Sequence, residues 1–393
     1  MNPSEMLSRA RSMQDWLSAH RRALHKYPEL GFQELRTAKR IADALRAMDL
    51  QVQTGAGKTG VVASLGEGPP TVGIRADMDA LEVQEANDVP YASQRAGLMH
   101  ACGHDAHMAM LLGAAELLRT LEGRPRGEVR FLFQPCEEAW DEEGKSGALR
   151  FVEAGLLKGV DAVIAQHVDP AAPAGMVGIR SGYVMAAVDP WTATIRGAGC
   201  HSSAPEQGLS PIYLLSQVVN AIQAIPALRV SALEPAIVSV EAVHGGGTTG
   251  VIPQQVTLSG NIRSYDEATR QRLWDELEKA FGLARALGGD YELEIRSYYP
   301  ACYNESEITA LLRCAAEEMV GSDQIYLPAL EMAGEDFGYM LQKVPGVIFR
   351  LGVAIGDIDR PLHSPIFDLD ESALPLGAAL LAETACQLLT QAG

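Results

Sequence analysis

At 393 residues the chain exceeds the length over which one hydrophobic core usually keeps growing, so two domains are expected. Its 50 acidic and 32 basic residues leave a formal charge of -18. That balance excludes recognition of nucleic acid or an anionic membrane through the overall field and points to small-molecule partners.

Amphipathic patterning predicts helices over 6–25 and 33–48, then short apolar strands over 61–65 and 72–76. The segment 105–121 is helical by spacing, with Met108, Leu111, Leu112, Ala115 and Leu118 forming an apolar stripe. Strands follow over 129–133, 162–165 and 177–180, with a helix over 147–154. This β/α alternation with apolar strands predicts an α/β fold on a mostly parallel, buried sheet. Between Asp189 and about Pro300 the pattern changes to strands over 191–196, 236–243, 256–262 and 291–297 and two long helices over 211–225 and 266–287. A four-strand, two-helix α+β module inserted into the first domain is the reading. Helices over 305–319 and 371–391 and a strand over 347–351 then complete the first sheet. The expected domains are 1–187 and 302–393 for the larger unit and 188–301 for the insertion. The first 26 residues contain no apolar signal core, and no segment is expected to supply the roughly 20 residues of a spanning helix. The six cysteines are scattered, with no Cys-x-x-Cys pair, so reduced thiols and a cytoplasmic location are expected.

Chemistry concentrates in a few segments. Cys102 and His104, in His100-Ala-Cys-Gly-His-Asp-Ala-His107, set two strong metal ligands one residue apart where a turn enters a helix. Glu137 and Glu138 follow the strand over 129–133, and such a pair divides into one ligand and one base. His167 and His363 each follow an apolar strand, where open α/β sheets collect their sites. Each alone reads first as a hydrogen-bonded or surface histidine. As a set with Cys102, His104 and Glu138 they have the residue types of a two-ion centre for Zn, Mn, Co or Ni.

Arg75-Ala-Asp-Met-Asp-Ala-Leu81, the segment 100–107, Phe133-Gln-Pro-Cys-Glu-Glu138, Gly334-Glu-Asp-Phe337 and Leu362-His-Ser364 resemble the amidohydrolase branch of the aminoacylase and carboxypeptidase metallopeptidase family. Arg21-Arg-Ala-Leu-His-Lys-Tyr-Pro-Glu-Leu-Gly31 looks like its amino-terminal signature. The resemblance implies a di-metal catalytic domain with an inserted lid or dimerisation domain. It also implies hydrolysis of the amide bond of N-acyl amino acids or related conjugates, and a possible homodimer. By that resemblance Cys102, His104, Glu138, His167 and His363 hold two divalent ions, Mn or Zn first and Co or Ni next. Glu137 is then the general base, His201 an oxyanion donor and Arg263 a reader of the substrate carboxylate. Asp77, Asp79, Glu335 and Asp336 are expected to orient ligands. A dipeptidase or carboxypeptidase is the alternative enzyme, and a catalytically silent metal-containing binding or assembly protein the alternative of another class.

Three departures bear on the substrate. Gly250 stands where relatives commonly carry Asn, Glu206 follows Pro205 where they carry His, and Ala139-Trp-Asp-Glu-Glu143 replaces a glycine-rich run. Trp140 and the three acids after it either shape or charge the acyl pocket or form a solvated loop.

Overall fold

Strands rich in Val, Ile, Phe and Ala are buried on both faces when they run parallel in an α/β sheet, and four such runs form the centre of the larger unit. In the computed structural model, which describes residues 2–391, Glu128–Gln134, Thr71–Asp77, Ala162–Pro173 and Gly346–Ala354 lie side by side in that order. Their three pairings are all parallel. Gly60–Leu65 and Gln51–Ala56 extend one edge antiparallel, and Val177–Gly178 and Ile325–Tyr326 finish the other, giving eight strands. The sheet is therefore mixed: parallel at its centre, antiparallel where the flanking strands join it, and parallel again between Val177–Gly178 and Ile325–Tyr326 at one edge.

Helix His104–Arg119 is buried along nearly its whole length, from His104 to Leu118, and packs against the terminal helix Leu374–Gln391. Its sequence is apolar on every side after the first turn, which fits a helix enclosed by others. Parallel strands deliver their carboxyl ends to one edge. There Thr71–Asp77 ends in Asp77, Glu128–Gln134 runs on into Glu137 and Glu138, and Ala162–Pro173 carries His167.

The chain divides into two compact units. The larger comprises the described residues up to Gly182, Tyr303–Ala329 and those from Asp336 onward; the smaller comprises Tyr183–Cys302 and Leu330–Glu335. The smaller unit is a four-stranded antiparallel sheet in the order Ala236–Gly245, Gln255–Ser264, Ala187–Arg196 and Asp290–Ile295. Helices Pro211–Leu228 and Glu267–Ala286 pack on it around Trp191, Leu214, Ile222, Leu277 and Phe281.

Some elements differ from the sequence reading. The helix expected over 6–25 is two, Pro3–Ser12 and Gln14–His25, broken at Met13. Ser12 Oγ donates to the Arg9 carbonyl at 2.6 Å, a local bond that competes with helix continuation. Strand Gln51–Ala56 has no apolar run to announce it, because as an edge strand it is mostly exposed. The expectation that no segment has the length and apolarity to span a membrane is corrected. Pro211–Leu228 has no charged residue over 18 positions, and Glu371–Gln391 also passes a test of length and composition. Glu371–Gln391 is 83% buried, as a core helix would be, whereas Pro211–Leu228 is 28% buried.

Candidate metal centre

The segment that carries Cys102 and His104 turns through Gly103, whose φ of 85° lies in the left-handed region that glycine adopts without penalty. A β-carbon there would come within 2.5 Å of Val168 Cγ2, so the turn packs directly against the strand carrying His167. The loop bearing His363 is tied to the same turn, since His363 N–H donates to the Ala101 carbonyl at 2.8 Å. His363 itself has a φ of 62° and Cys136, just before the two glutamates, a φ of 47°. Left-handed conformations at non-glycine residues cost energy and persist where the surroundings hold them.

These constraints bring the sequence-chosen donors together within the larger unit. Cys102 Sγ lies 3.4 Å from His167 Nε2 and 3.4 Å from His363 Nε2. Glu138 Oε1 lies 3.2 Å from His363 Nε2 and 3.9 Å from His104 Nε2. Ligand atoms of Cys102, His104 and His167, of Cys102, Glu138 and His363, and of His104, Glu137 and Glu138 each fall within 4.8 Å of one another. Spacings of this size suit ligands around a shared cation.

Hydrogen bonds settle which nitrogen His104 and His167 present. His104 Nδ1 faces the Asp79 carbonyl at 3.0 Å and His167 Nδ1 the Val168 carbonyl at 2.8 Å. A carbonyl oxygen only accepts, so both rings carry a proton on Nδ1 and direct Nε2 into the cluster. His104 Nε2 is buried and has no hydrogen-bond partner, and Glu138 Oε1 meets the imidazoles of His363 and His104. A buried polar atom left without a partner is costly unless a ligand satisfies it. The residues therefore fit divalent ions.

The charge balance says the same. Burial pushes the Cys102 thiol well up, and Glu138, Glu137 and Asp77 push it further, so a thiolate here requires a cation. Burial would lower His104, but Asp77, Asp79 and Glu138 outweigh it and raise its pKa to about 10. His167 is held well below the usual imidazole range by burial and then by Arg350, as a neutral ligand requires.

Beneath the donors lies a buried polar frame. Arg75 donates to Gln134 Oε1 at 2.9 Å, to Asp77 Oδ2 at 2.8 Å and to Asp336 Oδ1 at 2.9 Å. Asp79 Oδ2 accepts the Glu138 N–H at 3.0 Å, so this one residue supports both His104 and Glu138. The sequence reading gave His107 no role, yet the structure gives it a definite one. Its Nε2 accepts the Val168 N–H at 3.0 Å and its Nδ1 donates to Asp77 Oδ1 at 2.6 Å. The signal was present in the spacing, because His104 and His107 are three apart and share one face of the helix. A second support starts from Arg21, fully buried, which donates to Asp105 Oδ2 at 2.7 Å and Asp368 Oδ1 at 3.0 Å. It thereby links the residue after His104 to the loop after His363.

His201 and Arg263 belong to the smaller unit. His201 is exposed, and its Nδ1 accepts from Ser203 Oγ at 2.7 Å and Ser203 N–H at 3.2 Å. With Nδ1 an acceptor, the neutral ring carries its proton on Nε2. Arg263 Nη1 donates to the Met332 carbonyl at 2.5 Å.

A cluster of thiol, imidazole and carboxylate donors at the carboxyl edge of a parallel sheet, buried except for the exposed His363 and the half-buried Glu138, with a further carboxylate beside it, defines a metal-dependent hydrolase. The comparisons place it: a model of Peptidase family M20/M25/M40 matches residues 73–387, and the chain belongs to that family. It is 39% identical over 375 residues to N-acetyl-L-cysteine deacetylase of Bacillus subtilis, covering 94% of this chain and 87% of the relative. It is 37% identical over 386 residues to thermostable carboxypeptidase 1 of Saccharolobus solfataricus, covering 95% and 96%. Among solved structures, the Bacillus subtilis YXEP protein, described as a dinuclear metal binding peptidase from the M20 family, matches with a TM-score of 0.84 at 33% identity, covering 96% of this chain and 99% of that one.

Proposed function

We propose that this chain hydrolyses the amide bond of N-acyl amino acids, releasing a carboxylic acid and an amino acid, with Cys102, His104, Glu138, His167 and His363 holding two divalent ions. The observation that carries the reading is the convergence of these five donors beside Glu137, with the buried His104 Nε2 left without a hydrogen-bond partner. Two bound cations supply Lewis acidity, lowering the pKa of a water from about 15.7 towards 7 and polarising a carbonyl. Glu137 takes the proton of the attacking water and returns it to the departing amine. His201 donates from Nε2 to the oxygen that gains charge, a role supported by its tautomer. Arg263 pairs with the substrate carboxylate, its fork oriented by the bond to Met332. Mn or Zn suits the mixed imidazole, carboxylate and thiolate set.

The fine reading extends to assembly and location. A homodimer through the smaller unit is supported by the uncharged helix Pro211–Leu228, whose Ile212, Tyr213 and Leu228 are exposed. The six free thiols support a reducing, cytoplasmic setting.

The test is hydrolysis of N-acetyl and N-benzoyl amino acids and of free dipeptides by metal-free protein reconstituted with Mn, Zn, Co or Ni. Metal-dependent cleavage of the N-acyl compounds ahead of the dipeptides supports the proposal. The reverse order supports the carboxypeptidase reading, which has a relative of that name in its favour. Tight metal binding without turnover of any compound overturns both.

A further inference from the structure

We propose that Trp140 determines specificity at this site, selecting amide substrates that carry a flat aromatic or extended apolar group; the inference rests on the hydrolase reading above. Residues 137–146 form a loop closed at its base, where Gly147 N–H donates to the Cys136 carbonyl at 2.8 Å. The loop opens with Glu137 and Glu138, and its start is fixed by the bond from Glu138 N–H to Asp79 Oδ2 at 3.0 Å. Its far half is a tight turn. Asp141 N–H donates to the Lys145 carbonyl at 3.0 Å, and Gly144 N–H donates back to Asp141 at 2.8 Å with a φ of 75°. The Asp141 carboxylate is buried, accepts the Glu143 and Lys145 N–H groups, and meets Lys58 Nζ at 2.7 Å and Arg150 Nη2 at 2.5 Å.

Trp140 sits between these two anchors, and 54% of it is exposed. Backbone geometry puts its Cα within about 7 Å of that of Glu138. A large indole on a backbone held at both sides loses little freedom when a ring packs on it, so it gains most of the contact energy.

The acids that follow offer no competing recognition. Asp141 pairs with Lys58 and Arg150, Glu142 with Lys58 at 3.6 Å, and Glu143 with Lys145 at 3.2 Å and Arg150 at 3.1 Å. Each of the three carboxylates is held in an ion pair, and Lys145 and Arg150 are shared with Glu153. The apolar group that the segment presents is the indole.

The experiment compares wild type, Trp140→Ala and Trp140→Phe, all metal-loaded, on N-acetyl amino acids and on analogues whose aromatic ring lies in the acyl half or in the amino-acid half. Alanine is expected to lower kcat/KM about tenfold for ring-bearing substrates, mainly through KM, to leave N-acetylalanine within about twofold, and to be largely rescued by phenylalanine. Selective loss for either ring placement supports the proposal. An equal loss across the panel, or none, overturns it. Calorimetric binding of benzoate and of an indole carboxylic acid to the same proteins gives a readout independent of turnover. If wild type hydrolyses nothing, the hydrolase reading fails. Weaker ring binding in Trp140→Ala still supports the role of Trp140, and unchanged ring binding overturns it.

Discussion

Replacing His107 separates two hydrogen bonds that the one ring makes at once. Its Nδ1 side holds Asp77 at 2.6 Å; its Nε2 side holds the Val168 N–H at 3.0 Å, and the carbonyl of that same Val168 orients His167. Asparagine places an amide near the Nδ1 position and glutamine near the Nε2 position, so each keeps one bond and forfeits the other. His107→Asn leaves a buried backbone N–H unsatisfied, at about 1–3 kcal/mol, and His107→Gln forfeits a hydrogen bond to a buried carboxylate, at about 1.5–3 kcal/mol. Similar losses of folding stability are therefore expected from urea melts of the metal-free proteins. Metal affinity is expected to diverge. Loss of the group that orients a ligand typically lowers affinity about 10–100-fold, and only His107→Asn releases the backbone at Val168, whose carbonyl aims His167. Titration against a competing chelating dye should show His107→Asn weakened to that extent and His107→Gln within about threefold of wild type. Equal metal affinity in both variants, or a greater loss in glutamine, would refute the chain of support from Asp77 through His107 to His167.

Glu137→Gln should lower kcat by about 10²–10⁴-fold with metal content unchanged, because the proton acceptor is lost and no expected ligand is; activity within tenfold of wild type removes Glu137 from the role of base. Arg21→Gln leaves two buried carboxylates without their guanidinium and should cost about 3–5 kcal/mol, and Arg21→Lys should not restore it, since a single ammonium does not reproduce the fork that spans Asp105 and Asp368; full recovery of Tm in the lysine variant would show that charge alone suffices. Glu34 is fully buried, between the Cys136 N–H and Thr59, and burial with the nearby Asp79 raises its pKa from 4.5 to about 7. A raised folded pKa means that its contribution is fully present below about 4.5 and is lost as pH climbs through about 7. Metal-free Glu34→Gln should therefore gain on wild type across that window by about 1.4 kcal/mol per pH unit at most, read from urea midpoints at pH 5, 6 and 7; a constant difference would place the Glu34 pKa at its ordinary value.

Local sequence showed the parts of the fold that repeat a period and the parts of the site that repeat a motif. The central strands are legible because burial on both faces demands unbroken apolar runs, as in Val129 to Phe133. Edge strand Gln51–Ala56 faces solvent and has no such demand on it, so nothing in its composition distinguishes it from a loop. At the site, Cys102, His104, Glu137, Glu138, His167 and His363 were chosen by residue type, by position and by resemblance, and the structure brings them into one cluster. His107 and Arg21 act through partners 61 and 84 residues away, Val168 and Asp105. The three-residue spacing sets His107 beside His104 on one helix face, but no local pattern encodes its bond, or that of Arg21, to a partner so far along the chain. The acidic turn after Trp140 shows the same limit: Asp141 to Glu143 look like a charged patch in sequence, and Lys58 and Arg150 become visible as their counter-ions once the chain is folded.

The buried frame explains why these distant supports are needed. Asp77, Asp79, Glu137, Glu138 and the Cys102 thiol are gathered in one interior region, and so many groups that are anionic when working repel one another strongly at low dielectric. Arg75 is the buried guanidinium among them, and it is shared between Asp77 and Asp336. The charge of Arg75 against that set leaves an excess of negative charge that ordinary folding would relieve by proton uptake. The raised His104 and Cys102 pKa values mark where protons gather in the metal-free chain. Divalent cations bound by the proposed ligands would displace those protons, because a cation that binds the unprotonated donors shifts the equilibrium towards them. Metal affinity should accordingly rise with pH and release protons on binding, while Arg21, His107 and Asp79 hold the donors in place against their own repulsion. Titrations in buffers of different ionisation enthalpy measure that release directly, and metal binding without proton release would mean that the donors are already deprotonated in the metal-free protein, contrary to the electrostatics of the cluster.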